Sequence, residues 1–311
     1  MDTESESYLH LLLSDSNLPT GSFVASAGLE SYVKHGFFSP ADFTSTPSPP
    51  SLTRSTINFV RDSVQAYAHS ALPFISAVYD ICVVYRDQRD VDGSASLEQS
   101  LRSLKEIDDL YESMTLNHVA KRASTAQGVA HLTLLSKGFV RPSWLHDKGL
   151  LDGEKLGVQT QTGGAHMERL ADELKIHIRR GDINGHLPIC WGIMTVALGL
   201  SCERSQYLHM FLHARALVSA SIRLNILGPY AAQQLLLHII HPLLDNVVKS
   251  IKPNHLRLVG RASSFSSPSS TSVVSDSEVD DECEIGPAMT WPLGEILATR
   301  HDLQHSRIFN S

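Results

Sequence analysis

Between residues 187 and 249 lie three segments, at about 187–200, 203–227 and 229–249, whose apolar residues cover much of a helical circumference. A helix that is apolar nearly all round must be surrounded by protein, so these three are expected at the centre of a helical assembly. Gly228 is a natural terminator, and Pro229 directly after it stands where a first-turn proline belongs. Other segments show the helical period on one face only. Ile57, Val60, Val64 and Tyr67 fall three or four apart, as do Leu101, Leu104 and Ile107. Val119, Ala123, Ala126, Ala130 and Leu134 follow, then Met167, Leu170, Leu174 and Ile178. Pro73 predicts a break or kink ahead of a further helix carrying Phe74, Ile75, Val78, Ile81 and Val84, and Gly138 predicts a stop.

Strand alternation is scarce, so the expected fold is all-α: a single helical bundle over residues 1–260 with loop insertions near 39–51, 86–96 and 138–160. Residues 261–285 are largely serine and acid, a composition that predicts a disordered tether. Apolar residues return in 286–311, which suggests a segment that docks, on this bundle or on a partner.

With 311 residues the chain can bury a sizeable core, and its formal charge of −7 argues against tracking a phosphate backbone, so no nucleic-acid partner is expected. The longest nearly apolar run, Leu187 to Leu200, is short for a bilayer and interrupted by glycines, so no membrane role is expected either. Cys82, Cys190, Cys202 and Cys283 are scattered and form neither a disulfide framework nor a zinc knuckle. The first residues are acidic where a secretory signal is basic, which makes a cytoplasmic location the expectation.

Chemistry-bearing motifs are few. The sequence holds no G-x-S-x-G elbow, no phosphate loop and no H-E-x-x-H pair. Ser14-Asp15-Ser16 reads as a helix end rather than a nucleophile. His209 and His213 stand four apart, as do His301 and His305, which puts two imidazoles on one helical face. Two ligands are the minimum for clamping a nickel- or zinc-like ion, and no third ligand is fixed by spacing. His209 and His213 are therefore weak metal candidates, against solvated or hydrogen-bonded histidines.

Arg215, Ser219 and Arg223 share a helical face among small neighbours, Ala214, Ala216, Ala220 and Ser221. Two stacked guanidinium groups suit carboxylates of a partner, or equally acids within the same bundle. Near the start, Pro19 and Gly21 set a turn, Ser22 is available as a cap before Phe23, and a following helix is expected to carry Ser26, Gly28 and Glu30. Glycine inside a helix costs about 1 kcal/mol relative to alanine, so close packing is the expected reason for Gly28.

These residues carry a resemblance. Residues 14–23 and 26–30 resemble the opening stretch of the urease accessory protein F (UreF) family, in its eukaryotic, fungal form. The resemblance continues through Leu116 to Ser124 with Gln127-Gly128, through Gly185-His186-Leu187-Pro188, and through Ala214-Arg215, Ser219 to Asn225, Leu227 to Tyr230 and Gln233. Arg300 to Ser311 is similar to the end of eukaryotic members. It implies a non-catalytic, all-α urease maturation factor that dimerises and links a D/H-type accessory protein to a G-type GTPase on apo-urease. Nickel insertion and lysine carbamylation follow there, with GTP hydrolysis coupled to delivery. No tightly bound cofactor is implied, nickel being handled by the complex; a carrier holding nickel through His pairs is the alternative. On this resemblance Arg215, Ser219, Arg223, Tyr230 and Gln233 belong to a subunit or partner interface, and His301, Arg307 and Phe309 to a docking element. Pro19, Gly21, Phe23, Ser26, Gly28 and Glu30 form an architectural junction.

Overall fold

The structure is a computed structural model that describes residues 3–15, 17–38, 51–88, 94–139, 163–251 and 286–310. Among them there is no strand. The helices in chain order are α1 (Thr3–Leu13), α2 (Leu29–Lys34), α3 (Ser51–Asp87), α4 (Ser94–Met114), α5 (His118–Leu134), α6 (Gly163–Arg180), α7 (Leu187–Ala197), α8 (Cys202–Arg223), α9 (Pro229–Leu235), α10 (His241–Ser250) and α11 (Pro292–Thr299). The tether at 261–285 and most of the insertions expected near 39–51 and 138–160 lie outside the described residues.

The most apolar segment is the centre, as its composition requires. In α7 every residue from Pro188 to Val196 is buried, and α3, α5, α6 and α8 pack around it. Trp191 is 1% exposed, and its indole N–H donates to Ser205 O and Ser205 Oγ, both at 3.1 Å, so the ring is buried without leaving its donor unpaired. The segment at 229–249 does not match the expectation of a central helix. It divides into α9, a π-helical turn at Leu236–Ile240 and α10, and one side faces outward, with Tyr230 and Leu237 exposed.

Pro73 does not end its helix: α3 runs through it. Proline lacks the N–H that would bond to the carbonyl four residues back, so His69 O is left without its helical partner. Ala288 N from the C-terminal segment donates to that carbonyl at 3.4 Å. The chain thus satisfies the proline's vacancy from outside instead of breaking the helix. Gly138 falls in a π-helical turn, Leu135–Phe139, that follows the end of α5 at Leu134.

A polar brace joins the helices around α7. Asp108 of α4 accepts from the backbone amides of Asn184 at 2.6 Å, Gly185 at 3.2 Å and His186 at 2.9 Å. The buried His186 ring spans Ser124 Oγ of α5 at 3.2 Å and Glu112 Oε2 of α4 at 2.8 Å. Beside it Gly128 meets the chain so closely that a Cβ would lie 2.1 Å from Gly185 O. Only glycine permits that approach of backbone to backbone.

Candidate functional site

Several of the stretches that single themselves out in the sequence, residues 23–30, the end of α8 and residues 300–310, come together in space. Residues 286–310 wrap over α2, α3 and α5 and contribute to the main core, where Phe309 is 2% exposed. Trp291 enters an aromatic group, with its ring centre 5.2 Å from Phe59 and 6.2 Å from Tyr32.

Glu30 is the anchor. Its buried carboxylate accepts from Ile308 N at 2.8 Å, Phe309 N at 3.1 Å and His301 Nε2 at 3.1 Å, and lies 3.1 Å from Lys34 Nζ. Burial alone would raise this carboxyl's pKa. The donors from Ile308, Lys34, Phe309 and His301 outweigh that and hold it below its ordinary value. Lys34 also reaches the carbonyl of Ser306.

Glu30 is delivered by an unusual entry into α2. Ala27 and Gly28 both adopt left-handed backbone, φ 47° and 85°, and Gly28 caps the helix from outside it. The expectation of a glycine within a helix is therefore corrected, although close packing there is real: a Cβ on Gly28 would lie 2.9 Å from Ala298 Cβ of α11. Ser22 is not a cap either. The short 3-10 turn Ser22–Val24 follows Gly21 at φ 75°, with no side-chain capping bond. Pro19, just before that turn, is exposed, and Ser26, just after it, is fully buried.

Asp302 forms a second, outer tie. It accepts from Arg122 of α5 at 2.8 and 3.0 Å and from Arg307 at 2.9 Å, and His118 Nε2 lies 3.3 Å away. The hydrogen bond from Arg122 holds its carboxyl well below the usual carboxylate range. Asn310 N donates to Val24 O at 2.9 Å and closes the wrap against the N-terminal turn.

Arg223 of α8 completes the clasp from below. Its guanidinium lies 3.9 Å from the centre of the Phe23 ring and 4.4 Å from that of Phe309, and it donates to Phe23 O. Arg215, two turns earlier, donates to Ser14 O. Both arginines thus tie α8 to backbone carbonyls of the N-terminal region, and among the described contacts neither forms an ion pair with an acid, internal acids being one of the two alternatives the sequence leaves open. Ser219, half-buried between them, offers its carbonyl to Arg223 Nε at 3.4 Å. Tyr230, 87% exposed, and Gln233 stand apart from the clasp on the outward side of α9.

His209 and His213 line a cavity of about 210 Å³ with Tyr67, His131, Trp191 and Glu295. His209 Nε2 lies 3.0 Å from Tyr67 Oη, and His213 Nε2 lies 3.1 Å from Ser63 Oγ, so each imidazole already has a protein partner. Burial pushes His209 down to about 3 and His131 and His213 down to about 4. Among the described residues no three His, Cys, Asp or Glu side chains are grouped to hold a metal ion.

Spacing does not single out Arg122 or Asp108, whose partners lie 180 and 76–78 residues away, although Glu30 and Lys34 stand at the i,i+4 spacing of a helical ion pair. Another local signal is at Asn117, the N-cap of α5, whose side chain accepts from Val119 N at 3.0 Å and Ala120 N at 3.2 Å.

Comparison with known proteins bears on this arrangement. The family model UreF matches residues 53–240, well over half of the chain. The chain belongs to the UreF family. Urease accessory protein 6 of Cryptococcus neoformans var. grubii is 38% identical over 97% of this chain and 97% of its own length. An uncharacterized urease accessory protein UreF-like of Schizosaccharomyces pombe is 25% identical over 100% of this chain and 99% of its own length. Urease accessory protein F of Arabidopsis thaliana is 26% identical over 71% of this chain and 69% of its own length. The UreF match ends short of Glu30 on one side and of the C-terminal segment on the other, whereas the two fungal alignments span nearly the whole chain.

Proposed function

We propose that this UreF-family chain is a non-catalytic adaptor of urease maturation in the cytoplasm. It joins a D/H-type accessory protein to a G-type GTPase on apo-urease while nickel is inserted and the active-site lysine is carbamylated, and it couples GTP hydrolysis to delivery. Nickel is cargo of the assembled complex, and this chain carries no tightly bound cofactor of its own. Family membership and the accessory role in the names of its relatives support the reading. The observation that carries it is the clasp. Residues from both ends of the chain meet at Glu30, Asp302 ties the C-terminal segment to α5, and Leu303 and Ile308 stay exposed, at 74% and 63%, on a surface suited to a protein partner. The outward side of α9, with Tyr230 and Gln233, is a second such surface and is assigned to a homodimer. A nickel carrier built on His209 and His213 would first have to release Tyr67 and Ser63.

The test is urease activity and urease nickel content in cells lacking this gene, and in cells given it back. Inactive, nickel-poor urease restored by the wild-type gene is the expected result. Fully active, nickel-loaded urease in the deleted cells refutes the maturation role. Removing residues 286–311 is a poor probe of partner binding, because it also strips Phe309 and Leu297 from the core. Substitutions at exposed positions such as Ile308 separate binding from folding.

A further inference from the structure

Beside the clasp a groove of about 960 Å³ runs between the N-terminal turn, α5 and the last residues described. Ala123, Ala126 and Ala130 fall three and four apart on α5, share one helical face, and line the groove. Methyl groups leave such a surface shallow and unfilled, open to close approach by another backbone or to an inserted side chain. Val24 and Ile308 line it too and are 43% and 63% exposed. Arg122 and Arg307 also line it, with side chains 52% and 42% exposed.

The charge around the groove runs against that of the chain. The whole sequence carries −7, yet the charged side chains that line the groove are two arginines, Arg122 and Arg307, against one carboxylate, Asp302. Asp302 is mostly covered by the arginines it binds. The outward-facing balance is cationic. Arg307 is seen to use Nη1 for Asp302, and a guanidinium fork has further donors for a second carboxylate. An apolar floor with arginine at its rim is the composition of a protein-binding site, in which fixed arginines act as anchors.

We infer that this groove receives an acidic segment of a partner protein, which lays an apolar side chain over Ala126 and sets a carboxylate against Arg307. The inference rests on the adaptor reading and adds to it the place and the chemistry of one contact. Arg307 is held in position by Asp302 before the partner arrives, so part of the ordering cost of binding is already met. Association should be fast at low salt and slower as salt screens the rim.

The test uses the full chain and, as probes, tagged forms of the three proposed partners: the D/H-type protein, the GTPase and apo-urease. Ala126→Trp fills the groove from an exposed position, and Arg307→Glu reverses the rim. Each should keep the wild-type circular dichroism spectrum while weakening one and the same partner about 30-fold or more. Should Ala126→Trp fail to fold, Arg307→Glu, at an exposed side chain, carries the test. Folded variants that bind every partner at wild-type affinity overturn the groove and leave the adaptor reading standing. A wild-type chain that binds none of the three overturns both. Tighter partner binding after removal of residues 263–284 would make the chain's own acidic run the occupant and overturn the inference. A self-association lost in Ala126→Trp, with every partner retained, would overturn it in favour of a second copy.

Discussion

Glu30→Ala removes the acceptor shared by Lys34, His301 and the amides of Ile308 and Phe309. A hydrogen bond to a charged group contributes about 1.5–3 kcal/mol net, and a buried donor left unpaired costs about 1–3 kcal/mol. Summed over four donors this exceeds what the chain would lose, because the C-terminal turn can lift away and return its amides to water. The expected destabilisation is that of breaking a buried ion pair by deleting one partner, about 3–5 kcal/mol. At about 2–4 °C per kcal/mol for a large domain, the melting temperature should fall by roughly 6–20 °C. Differential scanning calorimetry measures that fall, and limited proteolysis read by mass spectrometry locates it. Cleavage between residues 300 and 310 should appear well below the melting temperature of the bundle. Glu30's folded pKa is lowered, so its contribution is complete above the ordinary carboxylate range and is lost as pH falls through that depressed value. The variant and the wild type should therefore converge in strong acid. An alanine variant melting within about 2 °C of wild type, with the same cleavage pattern, would refute the view that Glu30 holds the segment.

Three further outcomes follow from particular contacts. Phe309→Ala empties a site that is 2% exposed and unstacks Arg223, so denaturant titration should show a loss of about 3–5 kcal/mol, with Phe309→Leu much milder. His131 and His209 have folded pKa values pushed down to about 4 and about 3, so the unfolded chain binds their protons first as pH drops below 6.5. Each should remove about 2 kcal/mol of stability between pH 7.5 and 5, and His131→Gln should flatten the measured pH dependence in that window. Equilibrium dialysis against nickel should give the wild type and His213→Ala the same weak, less than stoichiometric binding, because Ser63 already engages that imidazole.

What could be read in the sequence was what periodicity and local chemistry encode. The apolar run at 187–200 predicts a buried helix, and α7 is one. Gly228 and Pro229 mark the start of α9 where the rules of helix ends place it. The misses have a common cause in partners distant along the chain. Pro73 looks like a break because nothing nearby can satisfy His69 O, and the donor comes from Ala288. Gly28 looks helical in the sequence, whereas it stands with Ala27 in left-handed backbone just outside α2, against Ala298 of the distant α11. Arg215 and Arg223 share a face as expected, but spacing cannot reveal that their acceptors are the carbonyls of Ser14 and Phe23. Of the candidate residues, Phe23, Glu30, Arg223, His301, Arg307 and Phe309 meet in one place that spacing cannot show, while Tyr230 and Gln233 stand apart from it.

The bond from Phe309 N to Glu30 joins residues 279 positions apart. A ribosome adding about 5–20 residues per second needs roughly 15–55 s to cover that distance. Throughout that interval Glu30 is without Ile308 N and Phe309 N, the two backbone donors it has in the folded chain. A chain whose synthesis stalls before residue 300 would already hold the α8 that α2 packs against, but Glu30 would lack His301 and both amides.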